Sequence, residues 1–416
     1  MVHRRYQEAS PQDLVIRLLH IASESDIKHG ETTDVYFVRT KQVLDAKGLS
    51  NVHALAEVTA SSLPLDWTWG VLCGVEEAAH LLEGLPINVD SIPEGVIFRI
   101  RDHLGVRLPV MAVEGPYGSY CEYEAPLLGL LCQSSGIATM AARIRKAAGD
   151  RLLISFGVRR MHPALAPMID RAAYLGGMDG ASSLIGARTI GKSPMGTMPH
   201  ALVIMMGDQV AAWKAFDEIV PSDVPRVALA DTYYDEKAEA IMAAEALGKR
   251  LFAVRLDTPG SRRGDLAEII REVKWELSIR GFEHVKVIAS GGLDDRNIPS
   301  LVEAGADGFG VGTAVSNAPT IDFALDIIEK AGKPVAKRGK LGGRKDVWRC
   351  PECVIDRVAK KSQDSPRCPN CGRTMKALLE PLIRDGKLVA KLPNVDEIRS
   401  KLLSQLSKLR EISNVA

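Results

Sequence analysis

Aromatic residues make up only 5% of the 416 positions, and there is almost no excess of charge of either sign: 53 Lys and Arg against 52 Asp and Glu leave a net +1. That balance excludes a chain that coats nucleic acid or an anionic membrane through bulk charge, so neither is expected as a partner. No apolar run approaches the ~20 residues needed to span a bilayer. The basic N-terminal stretch MVHRRYQEASPQ is not followed by an apolar segment, so no secretory signal is expected. Cysteine is sparse and odd in number, seven in all, and four of the seven form two CxxC pairs. This spacing favours a metal site in a reducing compartment over a disulfide framework, and a cytoplasmic location follows as an expectation.

The sequence does contain 46% hydrophobic residues and 36 glycines, a mix suited to closely packed α/β layers. The length predicts two or three domains at roughly 150 residues each. Residues 1–118 read as an N-terminal α/β sandwich. A capped helix is expected over Ser10–Ser23, and strands over Val35–Thr40, Gly70–Val75, Gly95–Ile100 and Leu108–Gly115. Residues 119–335 read as an α/β barrel domain that opens with buried helix over Ala125–Asp150. Strand candidates then recur at Leu152–Phe156, Met178–Ser182, Ser193–Thr197, Arg226–Ala230, Leu251–Leu256, Val285–Ala289 and Asp307–Val311, with helical segments between them. Residues 336–416 form a C-terminal region with the CxxC pairs and a terminal helix from Val395.

A barrel is preferred to an open sheet because polar residues stand at the end of strand after strand: Arg159 and Arg160, Ser182 and Ser183, His200, Asp231, Asp257, Ser290 and Thr313. A barrel brings all those ends to one mouth, whereas an open sheet spreads them along a line. Two late βα loops, Ser290–Ile298 (with Gly291 and Gly292) and Gly308–Thr313 (with Gly310 and Gly312), have the glycines that let backbone N–H groups grip a phosphate. Arg255 and Asp257 flank one strand end and Asp231 closes another. Such carboxylates hold ribose hydroxyls or, through Mg²⁺, a pyrophosphate. Arg159 and Arg160 suit a carboxylate or phosphate. Cys350, Cys353, Cys368 and Cys371 form two knuckles that together make a tetrahedral, structural Zn²⁺ site. The loop between the knuckles has no aromatic residue from Ile355 to Arg367, which argues against docking on nucleic acid.

Taken in order, SFGVRRMHP, DGASSLIGARTIGKSPMGTMPHAL, LADTYYDE, VRLDTPGS, VIASGGLD and GFGVGT resemble nicotinate phosphoribosyltransferase, with the zinc-knuckle tail of its archaeal-type branch. LLCQSSGIATMAARIR is similar to the entry helix of quinolinate phosphoribosyltransferase, a relative. The resemblance implies an α/β sandwich followed by an incomplete seven-stranded α/β barrel. It also implies a reaction of nicotinate with 5-phosphoribosyl-1-pyrophosphate that yields nicotinate mononucleotide and pyrophosphate for NAD synthesis, stimulated by ATP. By the same resemblance Arg159 or Arg160 binds the nicotinate carboxylate, and Phe156 and Tyr36 stack its ring. Arg255 and Asp257 hold ribose and pyrophosphate, the glycine loops hold the 5′-phosphate, and His200 occupies the place of the histidine that ATP phosphorylates. Tyr36 would come from a neighbouring subunit, implying a homo-oligomer with shared sites. The rival readings are a decarboxylating quinolinate phosphoribosyltransferase and a non-catalytic phosphate-binding barrel with a zinc docking module.

Overall fold

A computed structural model describes residues 19–257, 264–360 and 364–409. Most of the helix expected over Ser10–Ser23 lies outside these residues.

The N-terminal sheet is built on HALAEVTASS, the strand His53–Ser62, buried on both faces along most of its length. Strand alternation sends Ala56, Val58 and Ala60 into the main core, while Glu57 and Thr59 turn to the other face and meet Lys345 and Lys340. Seven antiparallel strands assemble in the order Lys333–Pro334, Asp322–Lys330, His53–Ser62, Pro109–Pro116, Asn88–Ser91, Glu380–Arg384 and Lys387–Leu388. Four of these segments come from beyond residue 320, so the chain returns to the first sheet after completing the barrel.

One expected strand is a helix. Val35–Ala46 is helical, with only Phe37 and Val38 buried. A short β-branched run does not decide between the two states. Here the segment continues through KQVLDA without a breaker, and Lys41 reaches Asp45 one turn on, at 2.6 Å. Gly70–Val75 divides similarly: Gly70–Val71 is strand, and Val75 begins the helix Val75–Leu82.

The spine of the molecule is a single helix, Glu124–Ala148, with fifteen buried residues. By length and composition the segment Cys121–Ala148 could cross a bilayer, yet 67% of its most apolar window is covered by protein. Its side chains are small where neighbours come close. A Cβ on Gly136 would stand 2.2 Å from the Pro319 carbonyl oxygen. Its hydroxyls satisfy a buried edge: Ser135 Oγ accepts from Cys73 N at 3.0 Å, and Thr139 Oγ1 accepts from Val71 N at 2.8 Å. Arg171, on the helix Ala166–Leu175, clamps the two units further by donating to both oxygens of buried Glu94, at 2.9 and 3.0 Å.

Six strands form the second sheet, all parallel, in the order Gly180–Ala181, Leu152–Ser155, Gly308–Val311, Lys286–Ser290, Leu251–Leu256 and Arg226–Leu229. The first strand in sequence pairs with the last, so the sheet curls back on itself. The segment expected to be the seventh strand, Ser193–Thr197, is irregular and gives one backbone bond to its neighbour, Met195 N to Ala181 O at 2.8 Å. Pro194 has no N–H to donate, and Gly196 adds no side chain to pack. The barrel is therefore incomplete on that side. Leu152, Val227, Ala253 and Ile288 cluster as an apolar plug, while Val254, Leu256, Val287 and Ala289 belong to the main core.

Three short strands, Lys345–Arg349, Asp356–Lys360 and Lys376–Ala377, carry the cysteine knuckles. The final helix, Val395–Lys408, begins with an Asn394 capping box and buries Ile398, Leu402 and Leu406.

Gly136→Ala should destabilise the fold by about 1–3 kcal/mol, because the added methyl meets backbone that cannot yield cheaply. Denaturant unfolding of the variant against the parent measures it.

Candidate active site

The strand Leu251–Leu256 sets the geometry. Its alternation leaves Arg255 half-buried between two buried neighbours, Val254 and Leu256. Arg255 Nη1 donates to Thr197 Oγ1, and Nη2 lies 3.3 Å from Asp257 Oδ2. The guanidinium carbon stands 5.8 Å from the centre of the Phe156 ring. Arg255 Nε is buried without an acceptor among the described residues. Burial pulls the guanidinium below its ordinary pKa. The carboxylates of Asp257 and Asp231 oppose this, and Arg159 adds to the lowering.

Asp257 joins three strand ends. Its Oδ1 accepts from Ser290 Oγ at 2.6 Å, and its backbone N–H donates to Asp231 Oδ2 at 2.5 Å. His200 is the first residue of the helix His200–Met206. The imidazole Nε2 lies 3.7 Å from Asp257 Oδ2 and 3.8 Å from Asp231 Oδ1, while Nδ1 is 3.1 Å from Thr232 Oγ1. The four residues expected from the sequence to be catalytic, Arg255, Asp257, Asp231 and His200, therefore form one contiguous group.

A cavity of ≈ 240 Å³ opens beside Asp257. Phe156, Arg159, Arg160, Ser290, Gly291, Gly292, Gly310, Gly312 and Thr313 all line it, so the residues expected to grip the substrate carboxylate, ring and phosphate share one space. Gly310 is required by close approach: a Cβ there would stand 2.1 Å from the Phe156 ring. Leu293 and Asp294, within the loop Ser290–Ile298, also line the cavity, as does Ala314, which follows Thr313. Thr197 and Thr232, which hold Arg255 and His200, carry no comparable signal.

Three expected residues stand elsewhere. Ser182 N donates to Ser155 O at 3.1 Å. Ser183 caps the helix Leu184–Thr189, accepting from Gly186 N at 3.0 Å and donating to Asp170. Tyr36 lies on the helix Val35–Ala46 with its ring against Phe37, centroids 4.2 Å apart, and is more than half exposed.

The four cysteines gather as the spacing requires. The Sγ atoms of Cys350, Cys353, Cys368 and Cys371 lie within 4.8 Å of one another, so the group could hold a metal ion. Cys353 N donates to Cys350 Sγ at 3.4 Å, and Asn370 Nδ2 donates to Cys353 Sγ at 3.2 Å. Such N–H···S bonds help to hold thiolates in place.

Residues 34–135 match the family model described as quinolinate phosphoribosyl transferase, N-terminal domain, and residues 137–326 match the corresponding C-terminal domain. A nicotinate phosphoribosyltransferase of Mycobacterium tuberculosis is 33% identical over 355 residues, covering 80% of this chain and 72% of the relative. The chain belongs to the nicotinate phosphoribosyltransferase family. A second such protein from the same species is 28% identical and covers 87% of each chain. A solved structure described as nicotinate-nucleotide pyrophosphorylase from Pyrococcus furiosus superposes with a TM-score of 0.90 at 53% identity, covering 94% of this chain and 99% of the other. Human nicotinic acid phosphoribosyltransferase shares the fold, with a TM-score of 0.72 at 20% identity, over 91% of this chain and 94% of its own.

Among members of this family, Gly310→Ala in this chain should displace the Phe156 ring and break its contact with Arg255. A crystal structure of the variant reads the ring position directly, and an unmoved ring would refute the packing argument.

Proposed function

We propose that this chain joins nicotinate to 5-phosphoribosyl-1-pyrophosphate, releasing pyrophosphate and forming nicotinate mononucleotide for NAD biosynthesis. One observation carries the reading: Arg159, Arg160, Asp257 and both glycine loops face a single cavity, in a chain that belongs to this family. The pyridine nitrogen is already a nucleophile. Its lone pair forms the N–C1 bond as the C1–O bond breaks, and pyrophosphate leaves with that electron pair. Little proton transfer is needed, so catalysis is positioning and charge stabilisation.

In this reading Arg159 or Arg160 takes the nicotinate carboxylate, and Phe156 offers a face to the ring. The loops at Gly291–Gly292 and Gly310–Gly312 hold the 5′-phosphate. Arg255, whose Nε has no acceptor among the described residues, and Asp257 take the ribose and the pyrophosphate. Asp257 and Asp231 offer two carboxylates, a donor set that would fit a Mg²⁺ arriving on the pyrophosphate, since that ion keeps substrate and water oxygens as ligands. ATP would act through His200. Tyr36, exposed in the single chain, would reach the site of a neighbouring subunit in a cytoplasmic homo-oligomer. The Cys₄ group would hold a structural Zn²⁺, which cross-links the two knuckles and leaves no open coordination position.

The matching domain models are named for quinolinate phosphoribosyl transferase, and the second reading is decarboxylating transfer to quinolinate. Among the described residues, Arg159 and Arg160 are the cations that line the cavity. Lys192 is paired with Asp396 at 2.9 Å, and Arg188 lines a separate cavity beside Cys73 and Glu76. Neither lines the cavity beside Asp257, which supports the monocarboxylate reading.

Incubation with phosphoribosyl pyrophosphate and nicotinate, quinolinate or nicotinamide, with and without ATP, tests the proposal. Nicotinate alone should be consumed, and turnover of quinolinate with CO₂ release would transfer the assignment to the rival. Asp257→Ala should lower kcat on the order of 10²-fold or more with an unchanged circular dichroism spectrum. Purified protein should carry one Zn²⁺ per chain by elemental analysis, and chelation should lower Tm rather than act on kcat at low temperature.

A further inference from the structure

Glu239 is a carboxylate that the proposed reaction does not use. It lies on the helix Glu236–Leu247 and is fully buried, at 0% exposure. No cation pairs with it among the ion pairs of the described residues. Three successive backbone N–H groups face it instead: Thr232 N donates to Oε2 at 3.0 Å, and Tyr233 N and Tyr234 N donate to Oε1 at 2.7 and 2.9 Å. A buried charge is costly unless it is satisfied, and here consecutive amides of one loop do the satisfying. That loop follows the strand Arg226–Leu229 and contains Asp231 and Thr232, the two residues that meet His200 on its Nε2 and Nδ1 sides.

We infer that Glu239 is a positioning residue for the mouth, acting through the loop Asp231–Tyr234 to hold Thr232 Oγ1 against His200 Nδ1 and Asp231 beside Nε2. With the amides of residues 232–234 turned toward Glu239, the loop has little freedom to move its side chains. The Thr232 hydroxyl then faces Nδ1, to which it can donate or from which it can accept, and so fixes the orientation of the ring. Asp231 is fixed at the same time, and its Oδ2 holds the Asp257 backbone. Three strand ends are thus tied to one carboxylate that itself touches no substrate. The inference rests on the reading of His200, Asp231 and Asp257 as the working group of the site.

The test uses the full chain with ¹⁵N-labelled histidine, His200 being assigned by its disappearance in His200→Gln. Glu239→Gln keeps the size but places an amide against three N–H donors. It should shift the His200 ring nitrogen resonances and lower kcat on the order of tenfold, with KM for nicotinate within about twofold. Thr232→Val keeps Glu239 and the loop amides but deletes the hydroxyl, and should shift the same resonances even if Glu239→Gln folds poorly. Leu247→Ala, a buried change on the same helix away from the loop, should lower Tm and leave the His200 resonances in place. Unchanged His200 resonances in both Glu239→Gln and Thr232→Val would overturn the inference and leave Glu239 as a structural cap. The resonance measurement needs no turnover, so a failure of the nicotinate assay is distinguishable from a failure of positioning.

Discussion

Close packing against the helix Glu124–Ala148 is the constraint on which both halves of the molecule depend. Ser134, Ser135, Gly136, Ala138, Thr139, Ala141 and Ala142 give this helix a surface with little side-chain bulk, and all are buried. Backbone can therefore come directly against it, as Pro319 does at Gly136. Dense contact of this kind gains dispersion at every atom pair and tolerates little added volume. The same helix supplies the two hydroxyls that complete the hydrogen bonding of Val71 and Cys73, so a sheet edge is buried without orphaned donors. The N-terminal unit and the curled sheet are consequently seated on one rigid element.

That seating has a chemical consequence. Because the strand Leu152–Ser155 pairs with Gly308–Val311, the ends of strands distant in sequence meet at one mouth. Below it the plug of Leu152, Val227, Ala253 and Ile288 excludes water, and above it Arg255 stands between Phe156, Thr197 and Asp257. Charges held in place within a partly desolvated mouth act more strongly than the same charges in bulk water. This explains why a protein with a net charge of +1 suits a highly anionic substrate: a few oriented groups do what bulk charge does not.

The cysteine region is tied into the rest of the chain. Val358 N donates to Asp102 Oδ2 at 2.8 Å, Arg99 donates to Val354 O at 2.9 Å, and buried Arg349 and Asp356 form a two-point pair. Beyond it, Glu380–Arg384 extends the N-terminal sheet and Arg399 on the last helix donates to Asp179 at 2.6 Å. The end of the chain thereby fastens both the first sheet and the outside of the barrel.

Several features were legible in the residues alone, because each has a local cause. The CxxC spacing places thiols on tight turns, glycine pairs after apolar strands mark loops that line the cavity, and polar residues at successive strand ends point to a barrel mouth. The long buried helix and the terminal helix follow from composition and helical spacing in the same way. Where local signals compete, the sequence did not decide. VYFVRT has the β-branched content of a strand, yet it continues into a helix whose burial is set by neighbours far along the chain. SPMGT has strand-like spacing, but Pro194 leaves it a single backbone bond to the sheet. Ser183 resembles a mouth residue and proves to be a helix cap, because Asp170, thirteen positions earlier, lies where its hydroxyl can donate. Residues that act through other residues leave no local mark at all. Thr197 reaches Arg255 across 58 positions and Thr232 reaches His200 across 32, and only the curling of the sheet brings each pair together. The sequence by itself determined which chemical groups are present and which turns present them. The tertiary structure decided which groups face one another, because hydrogen bonds and ion pairs depend on distances in space that chain separation does not encode.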